Sequence, residues 1–142
     1  MKLILDSSVI AKLFLEESGS NEALEIMESS YINDFEIIAS DLIFYEIGNT
    51  IWKHLRKKKK DGTEYINKIY LLNIDYFPLN EDLAIKAMKL AQKHDITFYD
   101  GVHIALSQEQ RSKIVTEDKL LLNKFNSAIN IDEALQIIES LE

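Results

Sequence analysis

The sequence contains no cysteine and few residues that interrupt regular structure. Its 142 residues include one proline and four glycines. Without cysteine the chain can form neither a disulfide framework nor a thiolate metal site, so any bound metal must have other ligands. The scarcity of proline and glycine leaves no stretch for a flexible linker. The length fits one domain, which we predict to span residues 1–142.

Long apolar runs are missing as well. No run approaches the roughly 20 residues that a membrane-spanning helix needs. Asp6 also interrupts any N-terminal signal-peptide core. We therefore expect a protein that does not enter a membrane and that works in the cytoplasm.

Basic charge is the third scarcity. The chain has 24 acidic and 16 basic residues, a net charge of −8, which argues against binding nucleic acid by bulk electrostatic attraction. An enzyme acting on nucleic acid is still compatible with this charge, because bound cations would offset a cluster of acidic ligands. Residues 53–60 form one positive stretch, which is either a solvated helix end or a contact for a polyanion.

Short apolar runs alternate with longer amphipathic stretches along the chain. Hydrophobic residues make up 46% of the sequence, enough for a buried core. The alternation indicates an α/β fold in which helices cover a parallel sheet. The predicted strands are residues 3–5, 37–39, 74–77, 114–115 and 128–131. The predicted helices cover about residues 8–15, 20–29, 41–58, 63–72, 81–94, 119–124 and 132–140, with one more that begins near residue 99. On the helix at 81–94, the predicted core-facing residues are Ala84, Ala87, Met88 and Ala91.

Four acidic residues fall at predicted strand or helix junctions. Asp6 ends the first apolar run, and Asp118 follows the run at 113–115. Glu46 and Asp100 lie near the starts of two predicted helices. Ligands of an open α/β sheet bind beyond the carboxyl ends of its strands, and helix starts face the same side of a βα unit. We therefore expect these four carboxylates to converge on one crevice.

A carboxylate cluster is suited to Mg²⁺ or Mn²⁺, hard cations that prefer oxygen ligands. Such ions activate water near neutral pH and neutralise phosphate charge, so the pattern predicts phosphodiester hydrolysis. Each acid also has a simpler explanation when taken alone. Asp6, Asp100 and Asp118 fit helix caps or first-turn acids, and Glu46 fits an ordinary surface acid. Like charges held this close repel, so without a cation the cluster should cost stability.

Other side chains near these acids have ordinary structural explanations. Ser8 and Thr116 fit cap or turn hydroxyls, and His103 fits a satisfied structural histidine better than a ligand. Phe98 and Tyr99 are predicted to lie in the core rather than to form a base-stacking platform. Tyr45 and Trp52 are predicted to lie in the core or in an interface.

Four short motifs resemble those of the PIN-domain family, in particular VapC-type toxins, over nearly the whole chain. Residues 5–10, Leu-Asp-Ser-Ser-Val-Ile, resemble the family's Asp-x-Ser/Thr opening. Residues 45–49, Tyr-Glu-Ile-Gly-Asn, resemble the segment with a helix-borne glutamate. Residues 99–105 resemble Tyr-Asp-Ala-x-His-x-Ala, with Gly101 where the family more often has alanine, a small-for-small change. Residues 116–118, Thr-Glu-Asp, resemble the Thr-x-Asp that supplies the last acid.

The resemblance implies a three-layer α/β/α domain with a five-stranded parallel sheet. It also implies an Mg²⁺- or Mn²⁺-dependent endoribonuclease with RNA as its substrate. Ser8 and Thr116 would orient carboxylates or waters through their hydroxyls. A VapC-type toxin is usually a dimer that a VapB-type antitoxin silences, so a homodimer and an antitoxin partner are implied too. The implied catalytic residues and metal ligands are Asp6, Glu46, Asp100 and Asp118.

Two other functions stay open at this point. A PIN-like module without catalytic activity could bind RNA or a protein, although the complete set of acids counts against it. Phosphoryl transfer on another doubly wound fold is disfavoured, because the first strand ends in Asp6-Ser7-Ser8 and lacks the Asp-x-Asp of haloacid-dehalogenase-type phosphatases. If the chain dimerises, we predict that the helices at 41–58 and 63–72 form the interface.

Overall fold

Five parallel strands form the central sheet of the computed structural model, which describes residues 1–141. Their order across the sheet is β3-β2-β1-β4-β5, and each neighbouring pair is parallel. The predicted five-stranded parallel sheet is therefore confirmed, with β1 at its centre. The strands are β1 Lys2–Leu5, β2 Glu36–Ser40, β3 Asp75–Phe77, β4 Lys113–Val115 and β5 Ala128–Ile129.

The helices follow the predicted segments closely, except at the first one. That helix stops at Ile10 and continues as a 3-10 turn, Ala11–Leu13, in which the N–H of Phe14 donates to the carbonyl of Ala11, three residues back, at 3.1 Å. No helix within residues 1–141 is long and apolar enough to cross a membrane. The α-helices are α1 Ser7–Ile10, α2 Ser20–Ile32, α3 Leu42–Leu55, α4 Thr63–Leu71, α5 Glu81–His94, α6 Phe98–Gln110, α7 Lys119–Lys124 and α8 Ile131–Glu139.

Alternating side chains along the strands build two cores, one on each face of the sheet. On β1, Leu3 and Leu5 join one core and Ile4 joins the other, because successive side chains of a strand point to opposite faces. All three are almost fully buried, as expected for a parallel sheet covered on both sides. The three-layer α/β/α prediction is confirmed. The same alternation places Ile37, Ala39 and Val115 in the first core and Ile38 and Ile114 in the second.

The inward face of α5 differs from the predicted one. The structure buries Leu83, Ala87 and Ala91, which lie four residues apart on one stripe of the helix. The predictions for Ala87 and Ala91 are confirmed, and Ala84 is half-buried. Met88 is 47% exposed, so the prediction that it faces the core was wrong. One residue corresponds to about 100° of rotation around a helix, and burying the large side chain of Leu83 selects the stripe that includes it.

The carboxyl ends of β1 and β4 lie side by side at one edge of the sheet. Leu5 pairs with Val115, and the N–H of Asp6 donates to the carbonyl of Val115 at 3.1 Å. Thr116 leaves β4 at the same level, where its N–H donates to the carbonyl of Ile129 at 2.9 Å. The segments that carry two of the four predicted acids are therefore adjacent.

Candidate metal centre

Asp6 is the buried centre of the site, and three hydroxyl groups orient it. Its Oδ2 accepts hydrogen bonds from Thr116 Oγ1 at 2.6 Å and from Ser8 Oγ at 3.2 Å. Its Oδ1 accepts one from Ser7 Oγ at 3.2 Å. The residue is only 6% exposed, yet no formal positive charge is among these donors. The hydroxyls thus fix the direction of the carboxylate and leave its negative charge in place.

Thr116 and Ser8 also tie the loop after β4 to the end of β1. While Thr116 Oγ1 donates to Asp6, it accepts a hydrogen bond from the N–H of Asp118 at 3.1 Å. Ser8 Oγ accepts one from the N–H of Glu117 at 3.2 Å. Each hydroxyl therefore fixes the Asp6 carboxylate relative to the backbone of the loop that carries Asp118. Side chains that orient a metal ligand make contacts of this kind.

Asp118 caps a helix with one of its two carboxylate oxygens. Oδ1 accepts hydrogen bonds from the N–H of Leu120 at 2.8 Å and of Leu121 at 3.2 Å, which makes Asp118 the N-cap of α7. The helix-cap explanation considered from the sequence is thus correct for this residue. Because both bonds use Oδ1, the cap leaves Oδ2 available to another partner.

Asp100 lies in the first turn of α6 but does not cap that helix. Thr97 is the N-cap, and its Oγ1 accepts the hydrogen bond from the N–H of Asp100 at 3.1 Å. Burial raises the pKa of Asp100; a hydrogen bond with the Thr97 side chain opposes this, and the negative charges of Asp118 and Asp6 raise the pKa further. Asp100 therefore lies close enough to Asp118 and Asp6 for their negative charges to act on it.

Glu46 reaches the site from α3 through a contact with His103 of α6. His103 Nε2 lies 2.7 Å from Glu46 Oε1 and 3.8 Å from Asp6 Oδ1. Asp6, Glu46 and His103 form a tight group in which one ligand atom of each lies within 4.8 Å of the others. Asp100 and Asp118 lie outside this tight group, although their charges act on each other. The fold brings all four predicted acids to one edge of the sheet, and two of them form the tight group with His103.

His103 is the member of the site that the sequence interpretation missed. It is 1% exposed, and within residues 1–141 its Nδ1 has no hydrogen-bond partner, so it is not a satisfied structural histidine. Burial lowers the pKa of the imidazole, but the hydrogen bond with Glu46 and the charges of Asp6, Glu46 and Asp100 outweigh burial and raise the pKa. One sequence signal points to it, because Asp100 and His103 are three residues apart and share a face of α6.

The family model of the PIN domain matches residues 3–138. The chain belongs to the PIN domain family. The matched range begins in β1 and ends in α8, so it includes part or all of each of the five strands and all the residues of the candidate metal centre.

Two curated proteins of Pyrobaculum aerophilum resemble this PIN domain over almost their full length. Ribonuclease VapC3 is 31% identical over 133 residues, which cover 91% of this chain and 98% of the relative. Exonuclease VapC9 is 26% identical over 127 residues, which cover 86% of this chain and 92% of the relative. A solved toxin–antitoxin complex from Klebsiella pneumoniae shares the fold, with a TM-score of 0.65, 17% identity, and coverage of 91% of this chain and 97% of that one.

The hydroxyl of Thr116 offers a direct test of how the centre of this PIN domain is held. The change Thr116→Val keeps the shape of the side chain but removes both the 2.6 Å hydrogen bond to Asp6 and the acceptor for the N–H of Asp118. We expect a loss of about 10- to 100-fold in metal affinity, the usual cost of removing a group that orients a ligand. Isothermal titration calorimetry with Mn²⁺ measures the metal affinity.

Thr116→Ser is the matched control for that experiment. It keeps the hydroxyl and loses only a methyl group, so its metal affinity should stay close to that of the wild type. Equal metal affinities for the valine and serine variants would show that the hydroxyl has no part in orienting Asp6.

Proposed function

We propose that this PIN domain is a metal-dependent endoribonuclease and the toxin of a VapBC-type toxin–antitoxin pair. The observation that carries the proposal is the convergence of four carboxylates from β1, α3, α6 and the start of α7 at one edge of the sheet. A relative named as a ribonuclease, aligned over nearly all of its length, supports RNA as the substrate. An acidic centre in a chain of net charge −8 needs a cation to accept a phosphodiester.

The donors at this site fit Mg²⁺ or Mn²⁺. Carboxylate oxygens suit hard divalent cations, and the raised pKa of Asp100 reflects burial and a crowding of negative charge that a cation would relieve. When bound, such an ion lowers the pKa of a coordinated water and neutralises charge on the phosphate. We propose that the ligands are Asp6, Glu46, Asp100 and Asp118.

The side chains have separate tasks in this proposal. Ser8 and Thr116 position Asp6 through its Oδ2, while Asp118 presents the oxygen that the cap of α7 does not use. The contact between Glu46 and His103 places the imidazole in competition with a cation for one carboxylate oxygen. Asp100 stands in the first turn of α6, where Thr97 is the N-cap and accepts the hydrogen bond from the backbone N–H of Asp100.

Cleavage of RNA by the purified chain tests the proposal. Linear and circular single-stranded RNA are incubated with the protein in Mn²⁺ and, in parallel, in EDTA. We expect fragments only with Mn²⁺, and we expect the circle to be opened, because an endonuclease needs no chain end. Degraded linear RNA beside an intact circle would make the protein an exonuclease, as the relative VapC9 is named. No cleavage by the folded protein in Mn²⁺ would favour a module that only binds RNA or a protein.

Stability without metal is a second consequence of the acidic cluster. In EDTA we expect Asp100→Asn to raise the melting temperature by about 2–5 °C, equivalent to roughly 1 kcal/mol. The first turn of a helix stabilises a carboxylate by about 0.3–1 kcal/mol, but the raised pKa of Asp100 indicates that burial and the neighbouring charges outweigh that gain. Adding Mn²⁺ should make the wild type the more stable of the two proteins, because the bound cation offsets the repulsion that the Asp100 carboxylate adds.

The pH dependence of this difference has a definite sign. A carboxyl group whose pKa is raised by folding costs stability as the pH rises through that pKa, and the cost disappears in acid. The advantage of Asp100→Asn in EDTA should therefore be present at neutral pH and shrink as Asp100 becomes protonated. Calorimetric melting curves recorded from neutral pH into acid measure this stability difference. A variant that is less stable than the wild type in EDTA at neutral pH would contradict the proposed repulsion.

We further propose a VapB-type antitoxin as the partner of this toxin. The structural neighbour from Klebsiella pneumoniae is a toxin–antitoxin complex, which supports an antitoxin partner. An arginine of such a partner could make bidentate hydrogen bonds to the carboxylates in place of a cation. Antitoxin binding and Mn²⁺ binding should then compete. Titrating the complex with Mn²⁺ and measuring release of the antitoxin tests this competition.

We also propose that the protein acts in the cytoplasm as a homodimer. The predicted interface helices correspond to α3 and α4. Large apolar side chains remain exposed on both helices, which supports a contact between two copies. Sedimentation of the purified chain tests the dimer. The exposed residues are Trp52 on α3 and Ile66, Tyr70 and Leu71 on α4.

A further inference from the structure

A small cavity opens next to the metal centre, between the first turns of α3 and α6. Its volume is about 290 Å³. Val102 is buried and Leu42 and Phe98 are half-buried, so the floor of the cavity is apolar. Two tyrosine side chains stand at its exposed side. The apolar and aromatic lining consists of Leu42, Leu79, Phe98, Val102, Tyr45 and Tyr99.

Both tyrosines are exposed, so the prediction that Tyr99 lies in the core was wrong, and Tyr45 is not in the core either, which leaves the interface alternative for that residue. Tyr45 is 77% exposed and Tyr99 is 58% exposed. The packed aromatic cluster near them uses other rings, since Phe44 stacks on Tyr70 and contacts Tyr76 with ring centroids 4.5 Å apart in both pairs. Single exposed apolar residues are common on protein surfaces, but two exposed aromatic rings that line one cavity form a surface on which a flat ligand can stack.

Both tyrosines immediately precede proposed metal ligands. Tyr45 comes before Glu46 on α3, and Tyr99 comes before Asp100 on α6. Consecutive Cα atoms are about 3.8 Å apart, and consecutive helix residues differ by about 100° in direction. None of the four proposed metal ligands lines the cavity, so a ligand held by the two rings would lie beside the metal centre.

The charge of the cavity favours an uncharged ring over a phosphate group. Asp41 is one of its seven lining residues, and none of the seven is lysine or arginine. A phosphate would be repelled by Asp41, whereas the amino groups of a nucleobase can donate to a carboxylate. Unpaired bases of RNA are recognised in this way, by stacking on aromatic side chains with hydrogen bonds to their edges.

We propose that Tyr45 and Tyr99 form a stacking site for one unpaired nucleobase that flanks the phosphodiester at the metal centre. This inference rests on the proposed nuclease function and gives it a substrate class, namely RNA that is single-stranded on at least one side of the cleaved bond. The site positions the substrate, and the two tyrosines are positioning residues that take no part in the chemistry.

Fluorescence of 2-aminopurine in single-stranded RNA tests the site without requiring cleavage. A set of short RNAs carries 2-aminopurine at successive positions, and each RNA is titrated with the Asp118→Asn protein. This substitution slows turnover and retains an oxygen for the cap of α7. We expect quenching at one position in the set. Tyr45→Ala and Tyr99→Ala should each weaken binding by about 5- to 140-fold, the range that corresponds to loss of one stacked base.

Matched variants separate stacking from other effects of the substitutions. Tyr45→Phe and Tyr99→Phe keep the ring and should restore the quenching. Tyr31→Ala removes another exposed tyrosine, on α2, and should leave the quenching unchanged. The proposal would be overturned if the Asp118→Asn protein quenched equally with and without Tyr45→Ala or Tyr99→Ala. A change in oligomeric state on sedimentation of the alanine variants would also overturn it, because the surface would then be a contact between two copies.

The same experiment distinguishes failure of this inference from failure of the nuclease proposal. Tyrosine-dependent quenching combined with no cleavage by the wild type in Mn²⁺ would support the base site and reject the nuclease. Cleavage by the wild type that is as fast in the Tyr45→Ala and Tyr99→Ala variants, at RNA concentrations well below saturation, would support the nuclease and reject the base site.

Discussion

Asp100→Asn is expected to reduce Mn²⁺-dependent RNA cleavage by at least about 100-fold while the fold remains intact. Loss of a group that merely orients a ligand costs about 10- to 100-fold, so loss of a ligand itself should cost no less than the upper end of that range. The substitution is nearly isosteric and leaves the cap of α6 untouched, because Thr97 supplies that cap. Initial rates with a labelled RNA and circular dichroism of the same samples provide the measurement.

Asp82→Asn is the matched control for this substitution. Asp82 is also a first-turn acid, on the neighbouring helix α5, and it is exposed. Both variants lose one negative charge at the N-terminal end of a helix, but only Asp100 lies among the other carboxylates of the site. We expect Asp82→Asn to cleave like the wild type. Wild-type cleavage by Asp100→Asn would mean that the activity comes from a contaminant or that the site is wrong.

Gly101→Ala is expected to destabilise the protein by about 1–3 kcal/mol, the usual cost of overpacking a core. A Cβ atom at residue 101 would lie 2.5 Å from the carbonyl oxygen of Ala87 and 3.2 Å from its carbonyl carbon. These are backbone atoms of α5, so no side-chain rotation can relieve the clash and the two helices must separate. The melting temperature should fall by about 3–10 °C, which calorimetry measures.

Gly48→Ala is the matched control, and it should change stability in the opposite direction. Gly48 lies inside α3, where the nearest neighbour of an added Cβ is Ile66 Cδ1 at 4.0 Å, an ordinary van der Waals contact. Alanine there should stabilise the helix by about 0.5–1 kcal/mol. If both alanine variants melt at or above the wild-type temperature, α5 and α6 are not in the close contact that the structure shows.

Gly101 also shows that a short motif leaves the distance between two helices undetermined. From the sequence, glycine in place of the family's usual alanine is a small-for-small change. In the structure the missing methyl group allows the backbones of α5 and α6 to touch. The motif carries no information about the distance between two helices, because that distance depends on every side chain along their interface.

The placement of the acids illustrates what local sequence signals can establish. Asp6 follows an apolar run and Asp118 precedes an amphipathic one, so each could be assigned to the end of a strand or the start of a helix. The parallel topology then requires that such ends meet at one edge of the sheet, and the structure places them there. The signals allowed a helix cap for both Asp118 and Asp100. The structure distinguishes them, because Asp118 uses one oxygen for a helix cap whereas Thr97 caps the helix of Asp100.

The sequence by itself determined the fold class, the five strands and the four candidate ligands, because strand alternation, helical periodicity and junction residues are local properties of the chain. Only the tertiary structure decided that His103 lies between Glu46 and Asp6, and that Tyr45 and Tyr99 remain exposed beside them. It also decided which face of α5 is buried. These features depend on how far each helix is rotated and how closely it approaches its neighbours. The packing of the whole core sets those two quantities, so no single segment of the sequence encodes them.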